Sequence, residues 1–355
     1  MTLPPMVQDA GFTLSTLDVR AVNDAVLAAL AAHEQAMERE HTPEDPPTPV
    51  EERIASWRNS PDFAEIDCWV VRDPVGEIVA DAWVEIWHTG ANKHALLFNI
   101  QVLPEYRRRG LGRALLAETA RYASERGRIF FISDTTDRVP AGEAFMRRLG
   151  AEPGLPGKQR QLNLQTVDRA LLHTWLARGE RNAARYEVGL WDGPYPEADL
   201  ADILALHNVT WNSEPRGDLA LEDEQITAEH IREFERNSAA RGTVRWSGYV
   251  RERETGIFAG DTEVFWNPNR PEYVWQGFTG VLPNHQGQGL GRWLKADMLL
   301  RILRDRPQAR HVRTGNADTN APMLKINEEL GFRLFSATTT WQVTLDKVQA
   351  YLNAG

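Results

Sequence analysis

At 355 residues the chain is longer than one ordinary domain, so two is the expected count. Its hydrophobic fraction of 42% and charged fraction of 25% are those of a water-soluble globular protein, and no apolar run approaches the roughly 18 residues of a membrane span. The formal charge of −10 argues against a nucleic-acid partner, whose readers carry a basic face, and suits either a cationic small substrate or plain solubility.

The opening residues, MTLPPMVQDAG, lack the basic region and apolar core of a secretory leader, and none is expected. GFTLSTLD at 11–18 reads as a strand and AVNDAVLAALAAHEQAM as a helix. The proline-rich loop TPEDPPTP at 42–49 leads to a second amphipathic stretch at 50–60. CWVVRD and EIVADAWVEIW alternate as strands around a turn at Pro74 and Gly76. The single cysteine, Cys68, excludes an intramolecular disulfide and a cysteine-rich metal site, and fits a reducing cytoplasm. ALLFNIQVLP then runs into RRRGLGR and a helix from 111. Strand RIFFISD, a helix ending in RRLGAE, strand QRQLNLQ and a short helix at 166–176 complete the half.

The polar segment ARGERNAAR at 177–185 reads as a linker, and the same order then repeats. YEVGLWD, the helix around 199–208 and the amphipathic stretch 228–240 are followed by strands VRWSGYVRER and IFAGDTEVFW. YVWQGFTGVLP enters a second glycine loop. The helix from Leu290, strand HVRTGN, a helix ending in NEELGFR, strand TTTWQVT and a short helix at 344–352 follow. Each half therefore reads β-α-α-β-β-β-α-β-α-β. Two domains are expected, 1–178 and 179–355. The glycine loops anchor the repeat: Gly110 and Gly289 lie 289 − 110 = 179 residues apart.

Glycines before a helix let the backbone approach an anion, which the helix N-terminus attracts through its unpaired N–H groups. Neither loop has the G-x-x-x-x-G-K-[ST] of a P-loop, and neither has the third glycine of a Rossmann G-x-G-x-x-G. Both fit [R/Q]-x-x-G-x-G, through Arg107, Gly110 and Gly112 and through Gln286, Gly289 and Gly291.

Strand, V-x-P, R/Q-x-x-G-x-G, then helix closely resembles the acetyl-coenzyme A loop of the GNAT superfamily of N-acetyltransferases, over essentially the whole chain, twice. The resemblance implies an α/β fold of two tandem GNAT-type acyltransferase domains. Each is then a mixed, mostly antiparallel sheet with a splayed central strand pair, flanked by helices. It implies coenzyme contacts at Val102, Arg107, Arg108, Arg109, Gly110, Leu111, Gly112 and Arg113 in the first half. In the second they fall at Val281, Gln286, Gly287, Gln288, Gly289, Leu290, Gly291 and Arg292, with His285 as a further polar neighbour. The tandem, asymmetric arrangement is similar to that of the mycothiol synthases, with no motif that transfers a substrate.

RTGNADTNAPMLKINEELGFR at 313–333 resembles a GNAT subgroup carrying T-G-N, N-x-P-M-L and I-N-E-x-L-G-F. Asn320 takes the family's coenzyme-arm position. The position of the tyrosine that acts as general acid holds Asn327, which can donate a hydrogen bond but not a proton. The first half has Val139 and Met146 at these two places. The second domain is therefore expected to be the catalyst and the first a degenerate one that binds acetyl-CoA or serves as scaffold.

Acyl transfer to an amine needs the neutral amine, which for a lysine-like group at pH 7 costs about 4.6 kcal/mol. A carboxylate base is expected, with Glu263 ahead of Asp261, Glu85 and Asp81. Backbone N–H groups around Thr279–Val281 are expected to polarise the thioester carbonyl. Of Trp211, Trp246, Trp266 and Trp275, most are expected in the core and some in an acceptor pocket. His207, His285 and His311 lack metal-ligand spacing, and no metal is assigned. The sequence thus points to a cytoplasmic N-acetyltransferase using acetyl-CoA as donor and a small-molecule primary amine as acceptor. A protein or peptide acceptor, or a non-catalytic acyl-CoA-binding regulator, are the competing readings.

Overall fold

The expected element order recurs in both halves of the computed structural model, which describes residue 8 and residues 10–354. Residues 1–7, where the leader-free start was read, lie outside the described residues, as do 9 and 355. The first half runs β1 (Thr13–Leu17), α1 (Asp24–His41), α2 (Val50–Arg58), β2 (Ala64–Arg72), β3 (Ile78–Trp87), β4 (Ala95–Val102), α3 (Leu111–Glu125), β5 (Phe130–Thr136), α4 (Pro140–Arg148), β6 (Glu152–Asn163) and α5 (Arg169–Glu180). The second runs β7 (Tyr186–Asp192), α6 (Leu200–Thr210), α7 (Ala228–Ala240), β8 (Val244–Glu252), β9 (Phe258–Trp266), β10 (Tyr273–Val281), α8 (Leu290–Asp305), β11 (His311–Ala317), α9 (Ala321–Leu330), β12 (Arg333–Thr344) and α10 (Leu345–Asn353).

Local chemistry sets the helix starts. Asn23 caps α1 by accepting from the Val26 N–H at 3.1 Å, and Thr227 and His230 close a reciprocal cap on α7. Pro140 and Pro322 stand in the first turns of α4 and α9, where a missing N–H costs nothing. Among the described residues no helix is long and apolar enough to cross a membrane.

The contact units are not the contiguous blocks 1–178 and 179–355. One comprises residues 1–156, 216–222 and 337–355, the other 157–215 and 223–336. The first holds strands in the order β1-β2-β3-β4-β5-β12, the second β7-β8-β9-β10-β11-β6. Each takes its sixth strand from the other half of the sequence: Trp341 of β12 lies opposite Ser133 of β5, and Leu162 of β6 opposite Val312 of β11. Burial explains the exchange. Trp341, Val343 and Val348 complete the core around Leu115 and Phe131, whereas Leu162, Leu164, Leu172 and Trp175 complete the core around Leu299 and Val312.

In each unit the central parallel pairing lasts three residues, Ala95–Leu97 against Phe130–Ile132 and Tyr273–Trp275 against His311–Arg313, after which the strands diverge. Each unit also buries a histidine–aspartate hydrogen bond, between α1 and β3 (His33–Asp81 at 2.7 Å) and between α6 and β9 (His207–Asp261 at 3.0 Å).

The segment expected to be a linker begins as the last turn of α5. Gly179 stands there against Trp293 of α8: a Cβ on it would lie 2.2 Å from the indole Cγ. Gly179→Ala is expected to destabilise the protein by about 1–3 kcal/mol through overpacking, read as a lower melting temperature.

Candidate active site

In the second unit the divergence of β10 from β11 opens a cleft of about 970 Å³. Its walls are Trp275–Val281 of β10, the loop and first turns of α8, Thr314–Asn316 of β11, the start of α9, and Trp211 with Glu214 after α6. The expectation for the tryptophans divides: Trp246 is core, Trp266 packs against it, and Trp211 and Trp275 line the cleft.

The glycine loop forms the outer end. Gly287 and Gly289 adopt φ of +77° and +80°, which a side chain would strain, and Gly289 is the N-cap of α8. Seven of the expected contacts, Val281, Gln286, Gly287, Gly289, Leu290, Gly291 and Arg292, line the cleft together with His285. The Gln286 side chain donates to the Val281 carbonyl at 3.0 Å, tying loop to strand. Gln288 departs from expectation: its amide oxygen accepts from Arg185 at 3.4 Å, its carbonyl accepts from Asn182, and it is outside the lining. Arg292 lines the cleft but its guanidinium forks onto Glu329 with two bonds of 2.9 Å, so its charge is largely matched.

The inner end is a β-bulge. The register of β10 against β9 shifts between Gln276 and Thr279, leaving Gly277 and Phe278 unpaired. Leu282 donates its N–H to Ala259 of β9, so by strand alternation the N–H groups of Thr279 and Val281 face the opposite side, where β11 has diverged. The Thr279 hydroxyl is held by Thr262 at 2.7 Å.

Glu263 lies beneath the bulge. It is 9% exposed, and its Oε1 is 3.1 Å from where a Cβ on Gly277 would stand. Burial pushes its carboxyl up from the ordinary value; Asp261 adds to this, while His207, Arg245 and the Phe278 N–H offset it. Glu263 does not itself line the cleft and reaches it only past Gly277 and Phe278. Asp261, wholly buried, is committed to His207, whose ring stacks on Trp211 with centroids 4.5 Å apart.

The motifs of 313–333 converge at the far wall. Asn320 caps α9 by accepting from the Met323 N–H at 3.4 Å and lines the cleft. Asn327 does not line the cleft: it is fully buried, donates to Asn316 at 2.7 Å and accepts from Lys295 at 3.1 Å. Lys295 was missed in the sequence. It is 1% exposed, lines the cleft, and burial alone pushes its ammonium down to about 7. Its only signal was a lysine one turn after Gly291, set between buried Leu294 and Ala296. The folded state gives up this proton near pH 7 and the unfolded chain near 10.4, so the charge costs stability below that window and not above it. Lys295→Met is therefore expected to raise the melting temperature at pH 6 and to lose that advantage by pH 10.

The first unit treats the same positions differently. Its β4 pairs with β3 from Glu85–Leu97 to Ala80–Val102 without a bulge. Arg107 donates to the Val102 carbonyl at 2.9 Å and forks onto the carboxylate of Glu40, an internal anion at the loop. Arg108 holds the left-handed φ of +64° that Gly287 holds in the second loop. Arg109 bonds the Glu105 carbonyl and Arg113 that of Leu352, while Gly110 caps α3 ahead of buried Leu111 and Gly112. Val139 and Met146 are buried, Asp81 is paired with His33, and Glu85 accepts from the Trp87 indole N–H.

Residues 30–151 match the family model described as "Acetyltransferase (GNAT) family". Among curated proteins no relative matches the sequence. A solved tandem GNAT protein from the clavulanic acid biosynthesis pathway superposes with a TM-score of 0.75 at 24% identity, over 94% of this chain and 98% of its own. A GCN5-related N-acetyltransferase from Sphaerobacter thermophilus gives 0.64 at 16% identity, over 97% of each chain. Saccharomyces cerevisiae N-myristoyltransferase with bound myristoyl-CoA gives 0.56 at 12%, over 93% of this chain and 78% of that one. Residues 30–151 are thus similar to the GNAT acetyltransferase family, and the chain as a whole has the tandem GNAT fold. The family match falls in the half whose loop is occupied by Glu40, while the bulged, open cleft lies in the other.

Proposed function

We propose that the protein is an acetyl-CoA-dependent N-acetyltransferase whose second unit transfers the acetyl group directly to a primary amine of a small molecule. The observation that carries this is the continuity of the cleft from the α8 N-terminus to the β10 bulge. Unpaired helix N–H groups at one end suit a diphosphate. The Thr279 and Val281 N–H groups at the other suit a carbonyl oxygen that gains charge as it is attacked. Trp211, Trp275 and Phe278 offer aromatic walls and Glu214 a carboxylate at the rim, which suit an ammonium-bearing acceptor. The first unit serves as scaffold, with Arg107 satisfied by Glu40. The cytoplasm is the setting we assign, where the free, buried Cys68 stays reduced.

The test is coenzyme release. Purified protein with acetyl-CoA is given a panel of small amines and a matching panel of peptides. Release on one or more small amines supports the reading, and release on peptides alone moves the acceptor to a protein. Calorimetric binding of the coenzyme with release on neither panel favours a sensor. One coenzyme per chain is the expected stoichiometry, and Glu40→Gln, which frees Arg107, is expected to alter it at most weakly because the first-unit strand has no bulge.

A further inference from the structure

We propose that Lys295 is the group that takes up the sulfur of the donor, holding the departing thiolate as an ammonium–thiolate pair. This rests on the reading of the cleft as the acyl-donor site. Lys295 sits one turn into α8 from Gly291, about 6 Å deeper along the helix than the glycine loop. It is 1% exposed and lines the cleft, and among the described residues no carboxylate pairs with it. Of the three donors on its ammonium, one is spent on Asn327 at 3.1 Å. Asn327 is in turn fixed by donating to Asn316 at 2.7 Å, so the amine is held on the wall formed by the end of β11. Phe332 lies beneath it, its ring centroid 5.8 Å from Nζ.

An ammonium buried without a counter-ion is costly, and here burial alone drives it toward the neutral form, with no charged neighbour acting on it. An anion arriving in the cleft supplies what is missing. The diphosphate belongs to the loop, a turn further out. Acyl transfer builds negative charge first on the carbonyl oxygen, which Thr279 and Val281 face, and then on the leaving sulfur, one bond from that carbonyl carbon. The amine nitrogen attacks the carbonyl carbon and the C–N bond forms. The C–S bond breaks with its electron pair staying on sulfur, the amine's proton passes to the base, and the Lys295 ammonium donates to the thiolate. An opposite charge also restores the ammonium, so the two groups charge each other.

The test needs no acceptor. Coenzyme A is bound to the whole protein and its thiol titrated by thiolate ultraviolet absorbance, beside desulfo-coenzyme A as blank. In the wild type the midpoint is expected to fall at least about one unit below the ordinary 8.5. In Lys295→Met it should return to 8.5 or above, and Lys295→Arg should keep part of the drop. Lys295→Met is expected to fold, to bind desulfo-coenzyme A as the wild type does, and to bind coenzyme A less tightly only at pH above the wild-type thiol midpoint, where the bound thiolate has lost its partner. An unshifted midpoint in wild-type protein that binds coenzyme A overturns the assignment while leaving the donor site standing. An equal loss of affinity for both ligands in Lys295→Met overturns it too, since the lysine then serves the diphosphate. An acetyl group on Lys295 after incubation with acetyl-CoA, seen by mass spectrometry, makes it a nucleophile and likewise sinks the proposal. Failure of coenzyme A to bind at all removes the donor site with it.

Discussion

Gly291→Asp is expected to weaken acetyl-CoA binding at least about 100-fold and to abolish turnover, while Gly112→Asp leaves most of both. A 100-fold loss is about 2.7 kcal/mol, within what one charge-assisted hydrogen bond and a new like charge can supply. The fold itself tolerates the change. A Cβ on Gly291 would lie 3.7 Å from Ile326 Cδ1 and 4.0 Å from Val281 Cγ2, and one on Gly112 would lie 3.9 Å from Ile100 and Val102, all ordinary contacts. A carboxylate in the first turn of a helix even favours the helix dipole by about 0.3–1 kcal/mol. Both variants should therefore melt no lower than the wild type, and calorimetry should separate them. Undiminished affinity in Gly291→Asp would remove the second loop as the donor site. A dead but folded Gly112→Asp would show that the working unit is the first, where the family match lies.

The element order was legible because both periodicities are strong and occur twice. The strand VADAWVEIW alternates, α3 and α8 follow glycine caps, and each half checked the other. Which sheet each last strand joins was not legible. β6 and β12 have the same pattern in either place, and the exchange is decided by where Trp341 and Leu162 find a core to fill. The opening of β6, EPGLPG, holds two prolines and two glycines, so only its second part read as a strand. The loops were legible because backbone conformation there demands glycine. Side-chain commitments were not: Arg107 to Glu40, Gln288 to Arg185 and Asn327 to Lys295 join residues 67, 103 and 32 positions apart. The asymmetry between the halves showed in the sequence as Asn320 against Val139. In three dimensions it is a bulge in β10 that β4 lacks, a difference of pairing register no single-residue motif reports.

Glu263→Gln is expected to lower kcat by about 10²–10⁴-fold with acetyl-CoA affinity unchanged, as loss of a proton-transfer group typically does. The acceptor amine must lose a proton against a cost of about 4.6 kcal/mol at pH 7. A buried carboxylate raised above its ordinary value is a stronger base for that work than an exposed one. At the bulge Gly277 puts bare backbone beside Glu263: a Cβ there would stand 2.8 Å from Phe265 Cε2 and 3.1 Å from Glu263 Oε1, so the carboxylate already fills the place a side chain would take next to the cleft wall. The sign of the pH dependence follows. Wild-type kcat/KM should fall as the pH drops through the raised Glu263 value, above the ordinary 4.5, and this limb should be absent in the variant. The variant's deficit should shrink as the pH rises toward the amine's own pKa, because the free amine then forms unaided. Stability moves the other way. A folded-state carboxyl held above its unfolded value costs stability once the pH exceeds the unfolded value, so the glutamine relieves that cost at neutral pH. Its amide oxygen can still accept from the Phe278 N–H. A loss of activity thus cannot be blamed on unfolding if the melting temperature holds or rises. Near-normal kcat at pH 7 would take the base role from Glu263, and, with Asp261 sealed against His207, leave it to ordered water in the cleft.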